Sequence, residues 1–185
     1  MTAPLTARGG GGTAMRHWGK YRGTVVDNDD PQQQGRVRAS VPEVLGEVDS
    51  GWALPCAPYG GDTTGAYAVP AVGAGVWVEF EAGDISCPIW VGCFWADGEA
   101  PDDANPDIKQ FKTEKLTLRL DDAAPEIKLG PDDGATVTLT TDAVTEAAQA
   151  KLSVTPDGVT AEIPPRKTAL TSTSFNVNNG ALEVT

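Results

Sequence analysis

Histidine is nearly absent from this 185-residue chain, which has one, and cysteine and methionine are scarce at three and two. A lone histidine rules out multi-histidine zinc or iron sites. Three cysteines without a Cys-x-x-Cys spacing exclude both a disulfide scaffold and a cysteine-based zinc site. No apolar run approaches the roughly 18 residues needed to cross a bilayer. The opening Met1-Thr-Ala-Pro-Leu-Thr-Ala-Arg-Gly-Gly lacks a signal-peptide core, so a soluble chain made in the cytoplasm is expected. Basic residues number 14 against 26 acids, a net charge of −12 that repels phosphate backbones and anionic headgroups. Nucleic acid is therefore not expected as a partner. With 21 glycines and 14 prolines, long helices are not expected either.

What is present falls into segments of different character. Residues 1–26 carry Arg8, Arg16, Lys20 and Arg22 and no acid, and include the run Gly9 to Gly12. That run lacks the Gly-Lys-Ser/Thr ending of a phosphate loop, so residues 1–17 are assigned to a flexible tail. Residues 27–110 carry 15 acids and 3 bases, and from Met15 to Phe94 and Trp95 lie nearly all the aromatic side chains. Residues 18–97 are assigned to one domain. Its strands are Lys20–Asp27, Gly35–Val41, Gly51–Pro58, Gly75–Ala82 and Ile89–Trp95. Five short strands with glycine-rich joins suit a small barrel of the OB type. The prolines and acids of Asp97-Gly-Glu-Ala-Pro-Asp-Asp-Ala-Asn-Pro-Asp107 mark a linker, residues 98–110.

Residues 111–185 alternate well but are poor in apolar mass, with 18 Leu, Ile, Val or Phe in that stretch. Leu116, Leu118 and Leu120 point one way; so do Ile127 with Leu129, Val137 with Leu139, Leu152 with Val154, Val159 with Ile163, and Leu182 with Val184. Asp133-Gly134, Asp157-Gly158 and Asn179-Gly180 are tight-turn signals between them. A lone sheet of this kind leaves its apolar face wet. Winding several copies around one axis buries it, with Leu116, Leu118, Leu120, Ile127, Leu129, Val137, Leu139, Val154, Val159, Leu182 and Val184 facing inward. Thr141 to Lys151, rich in alanine, reads equally as a helical turn or a strand.

The run Gly35-Arg-Val-Arg-Ala-Ser-Val-Pro-Glu-Val44, then Trp52-Ala-Leu-Pro, Pro70-Ala-Val-Gly-Ala-Gly-Val-Trp-Val-Glu-Phe-Glu-Ala-Gly-Asp84 and Pro88-Ile-Trp-Val-Gly92 resembles the OB-fold of phage baseplate assembly protein V and VgrG-type central spike proteins. The resemblance runs from about Tyr21 to Trp95. It implies an all-β, homotrimeric, non-enzymatic spike in a phage tail or related bacterial particle, its barrel followed by an intertwined β-helical or β-prism needle. It further implies a separate hub protein at the barrel end, a PAAR-type tip protein at the other, room for a cargo effector, and only transient contact with the target membrane. Some short spikes hold iron at the tip through clustered histidines; His17, alone and near the opposite end, does not fit that pattern, so no metal or other cofactor is expected.

Within the barrel, Trp77, Glu79, Glu81 and Trp90 are the candidate contacts to a hub or a neighbouring subunit. Alternation places Trp77, Glu79 and Glu81 opposite Val76, Val78 and Phe80. Glu79 and Glu81 could in principle form a hydrolytic carboxylate pair, but a solvated or interfacial strand face fits them better. Asp27-Asn-Asp-Asp30 reads as a turn because it lacks the glycine and closing glutamate of a calcium loop. The alternative function is a monomeric OB-fold module binding a glycan or single strand by stacking on Trp77 and Trp90.

Overall fold

Gly23 and Val25 are buried while Arg22, Thr24 and Val26 are exposed, and this alternation makes Tyr21–Asp27 the first strand, β1. The computed structural model describes residues 15–185, so most of the expected tail 1–17 lies outside the described residues. Its last residues are held: Arg16 Nη1 donates to Ala82 O at 3.1 Å and His17 N to Gly83 O at 3.0 Å. The chain divides into two units, 1–99 and 100–185.

In the first unit, β1 pairs antiparallel with β2 (Arg38–Ser40) and, after two single-turn elements, with β6 (Gly75–Phe80). The first of those elements is the short helix α1 (Pro42–Leu45), which has proline in its first turn. The second is a hairpin of β4 (Gly60–Gly61) and β5 (Thr64–Gly65). β6 pairs with β7 (Pro88–Phe94), which takes β3 (Leu54–Pro55) in parallel at its edge. The order is β2-β1-β6-β7-β3, a curled, OB-like sheet. Proline is tolerated in β3 because that strand lies at the edge.

The inward positions of these strands meet in one core. Val25, Val37, Ala39, Val41, Ala53, Val76 and Val78 are at most 1% exposed and Phe80 4%. Two of the expected strands shrink most: Gly35–Val41 to Arg38–Ser40, and Gly51–Pro58 to Leu54–Pro55. Ahead of Arg38 the chain is organised by a side chain instead of a ladder. The Asp30 carboxylate accepts from the backbone N–H groups of Gln32 (3.0 Å), Gln34 (2.7 Å) and Arg36 (3.3 Å), and from the Arg36 guanidinium at 2.5 Å. The turn expected at Asp27–Asp30 is therefore the hub of a longer loop. The Arg36 hydrogen bond, helped by those backbone donors, holds the Asp30 carboxyl well below the usual carboxylate range.

The second unit is a single antiparallel sheet of ten strands in chain order. They are β8 (Ile108–Lys112), β9 (Thr117–Asp121), β10 (Glu126–Gly130), β11 (Thr136–Leu139) and β12 (Ala143–Ala147). β13 (Ala150–Thr155), β14 (Gly158–Ile163), β15 (Arg166–Thr171), β16 (Phe175–Val177) and β17 (Leu182–Val184) complete it. Residues 141–151 resolve as β12 and the start of β13, joined at Ala148, so the helical alternative is set aside. β8 begins at Ile108, inside the stretch 98–110 expected as linker. The segment before it is tied to the sheet through Asp103, which accepts from Gln110 Nε2 at 3.0 Å and Arg119 Nε at 2.9 Å.

All three sequence-read turns join strands of this sheet. At the β13–β14 turn Gly158 has φ +151°, and a Cβ there would lie 2.1 Å from Leu170 O, so only glycine fits.

Candidate interaction surfaces

Because paired residues in a sheet project to the same side, the register assigns faces directly. One row crosses all ten strands as Lys109, Leu120, Ile127, Leu139, Ala143, Val154, Val159, Leu170, Phe175 and Val184. Two positions along each strand runs a second row: Phe111, Leu118, Leu129, Val137, Thr145, Leu152, Ala161, Thr168, Val177 and Leu182. The two rows form one largely apolar stripe, and nothing within this unit covers it. Its large side chains, Val177 aside, are 37–59% exposed.

Every residue expected to face inward lies on or beside this stripe. Leu118, Leu120, Ile127, Leu129, Val137, Leu139, Val154, Val159, Leu182 and Val184 are members, and Leu116, 55% exposed, immediately precedes β9. Missing from that expectation are Phe111, Leu152, Leu170, Phe175 and Val177. Phe111 sits next to the proline-rich segment, and Leu170 follows Ala169, so neighbouring apolar residues leave the parity of that strand open in the sequence. Its register, Val159↔Leu170↔Phe175, fixes it.

The opposite face is polar. Across β12 to β15 the row Glu146, Lys151, Glu162, Lys167 alternates in sign, with Lys151 Nζ 2.9 Å from Glu146 Oε1. At the start of the sheet Arg119 bridges Asp103 and Asp121, each at 2.9 Å. The hydrogen bonds to those carboxylates, Asp103 first, raise the Arg119 pKa further. The carboxyl of Asp103 is lowered by Gln110 and Arg119, and that of Asp121 mainly by the backbone N–H of Ala124. Charges on one side and aliphatic rows on the other give the sheet a single side suited to packing.

On the barrel, the outer face of β1, β6 and β7 holds a compact cluster. Arg22 lies opposite Trp77, its guanidinium 5.3 Å from the Trp77 ring and 5.0 Å from that of Phe94, and the two rings are 5.1 Å apart. Phe94 can lie there because its partner is Gly75, where a Cβ would come within 2.7 Å of the ring. Glu79 on the same face is paired with Lys20.

The other two candidate contacts are elsewhere. Trp90 does not share the outer face with Trp77: a register shift pairs Trp77 with Gly92 and Val78 with Trp90, leaving Val91 unpaired. Trp90 is thereby turned to the core side, where it packs half-buried and donates from Nε1 to Gly35 O at 3.0 Å. The expected exposed pair of tryptophans, and the stacking platform it would make, is corrected by that bulge. Glu81 does not continue the strand beside Glu79. It opens a 3-10 turn, Glu81–Gly83, forced by left-handed φ values of 51° at Ala82 and 75° at Gly83. The two carboxylates are therefore not neighbours on one strand face.

His17 packs edge-on near Tyr21 and Phe80, with centroids 6.2 and 6.3 Å away. Cys56, Cys87 and Cys93 are free and exposed. Among the described residues no group of three or more His, Cys, Asp or Glu could hold a metal ion, and no helix is long and apolar enough to cross a membrane.

Residues 21–95 match the family model of the Type VI secretion system/phage-baseplate injector OB domain. The match covers the curled sheet and none of the ten-stranded one. It supports a baseplate-spike or VgrG-type protein with a structural role in a phage baseplate or Type VI secretion spike. No curated protein matches the chain.

Proposed function

We propose that the protein is the trimeric central spike of a contractile injection system. The observation that carries this reading is the uncovered stripe. Ten strands spaced about 4.8 Å apart make it roughly 43 Å long, while no strand contributes more than three apolar residues to its width. A stripe so long and narrow is matched along its whole length by parallel copies of itself. Three copies related by a rotation axis perpendicular to the strands bury all three stripes against one another and leave the charged rows outside.

In this assembly Leu116, Leu118, Leu120, Ile127, Leu129 and the later stripe residues form the trimer core. The barrel docks on a separate hub protein through its outer face, Trp77 and Glu79, with Glu81 at the adjoining turn. A PAAR-type tip protein covers the far end of the needle, which can carry a cargo effector, and the spike touches the target membrane only while piercing it. The task is mechanical: axial load during contraction is shared by many ladder hydrogen bonds at once. The particle is a phage tail or a related bacterial assembly.

Sedimentation equilibrium of the full chain, beside a truncation ending at residue 100, tests the reading. The expected mass is three times 19.3 kDa for the full chain, falling to that of a monomer on truncation. A folded full-length monomer at all accessible concentrations overturns it.

A further inference from the structure

The turns of a meander fall alternately on the two margins of its stripe. One margin has the turns after β8, β10, β12, β14 and β16, the other those after β9, β11, β13 and β15. In a cyclic assembly one margin of each copy faces the opposite margin of the next. Rotation carries no translation along the axis, so each turn on one margin lies one strand spacing above or below the nearest turns on the margin it faces.

Charge along these margins is sparse in the half from β12 to β17. On the first margin Arg166 opens β15 and is paired in register with Ile163, which places it on the stripe side of the sheet. It is exposed, it flanks a groove lined by Ala147, Ala150, Leu152, Ala161 and Ile163, and among the described residues it makes no ion pair or side-chain hydrogen bond. The remaining cations there, Lys151 and Lys167, point to the polar face beside Glu146 and Glu162. On the second margin Asp157 sits in the β13–β14 turn, exposed, its carboxylate likewise without a partner among the described residues. The next turn on that margin, after β15, is Ser172-Thr173-Ser174, which is neutral.

We infer that Arg166 of each copy pairs with Asp157 of its neighbour, a clasp between margins that sets the register of the three chains. The β13–β14 and β14–β15 turns differ in height by one strand spacing, about 4.8 Å, within reach of an arginine side chain. In the other half of the sheet the turns carry Glu114 with Lys115 and then Asp133 on one margin, and Asp122 and Asp142 on the other, so acids prevail, and Asp122 is already paired with Lys109. Acids meeting acids there and a cation meeting an acid here favour one vertical alignment over a slip of two strands. The inference rests on the trimeric reading.

Two experiments on the full chain test it apart from that reading. In a background with Cys56, Cys87 and Cys93 replaced by serine, Asp157→Cys with Arg166→Cys is expected to give disulfide-linked trimers on mild oxidation, and either single cysteine none. Separately, Asp157→Arg or Arg166→Asp alone is expected to weaken assembly roughly tenfold or more, from three exposed contacts per trimer, and the double exchange to restore it. Trimers of the correct mass that neither cross-link nor recover on exchange overturn the clasp and leave the trimer standing. Monomers throughout overturn the trimer and the clasp with it.

Discussion

The barrel and the ten-stranded sheet are built from the same alternating strands, yet only the barrel hides what alternation collects. Five strands curl until Val76, Val78 and Phe80 meet Val25, Val37 and Val41 from the other side, so the chain supplies both walls of its own core. The long sheet supplies one wall. Its strands are tied in sequence to their immediate neighbours, and its apolar face meets no second layer within its own unit. In the proposed trimer, stability in the first unit is a property of the chain, and in the second a property of its concentration.

The sharpest way to break this contrast is a charge on the stripe. Leu139→Asp brings three carboxylates near one axis and costs several kcal/mol per chain, as unpaired buried charge does. The expected outcome is loss of the trimer in sedimentation, with the barrel's melting transition unmoved. Unchanged assembly and melting in this variant would mean that the stripe is not a core.

The converse change is Phe80→Ala, which empties a buried position in the barrel. It is expected to cost the barrel about 3 kcal/mol, visible as a lower denaturant midpoint that does not depend on protein concentration, while the trimer mass is kept. If both substitutions shift one shared transition equally, the two units are not independent and the comparison fails.

How much of this could be read from the sequence follows the same division. Parity along a strand is local, so Leu118 with Leu120 and Val137 with Leu139 declare a shared face without any partner being known. The expectation of further chains came from a similar count, too few apolar residues spread over too many strands. What stayed hidden depends on register and on side chains closing loops. The unpaired Val91 turns Trp90 inward, and no pattern in Ile89-Trp-Val-Gly92 announces where the extra residue falls. The 3-10 turn after Phe80 separates Glu81 from Glu79, although Glu-Ala-Gly reads equally well as continuing strand. Asp30 was visible as a turn residue, but not as the acceptor for donors up to six residues away.

The smallest effect sharpens the comparison through acid. Asp30 is 3% exposed at its side chain, and Arg36 and three backbone N–H groups hold its folded pKa below the usual value near 3.8. A carboxyl depressed on folding contributes stability that is fully present above its unfolded pKa and is lost as pH falls through the folded one. The barrel should therefore lose stability on acidification below about pH 4, and Asp30→Asn should flatten that acid limb while lowering stability at neutral pH. Asp103 and Asp121 are depressed in the same sense, but they belong to the long sheet. Its acid limb should survive Asp30→Asn intact and shift with Arg119→Gln instead, which removes the cation bridging those two carboxylates. Thermal melts of both variants between pH 3 and 7 separate the cases. If Asp30→Asn altered the acid limbs of both units alike, protonation at one loop of the barrel would be reaching the sheet, and the two could no longer be treated as separately stabilised bodies.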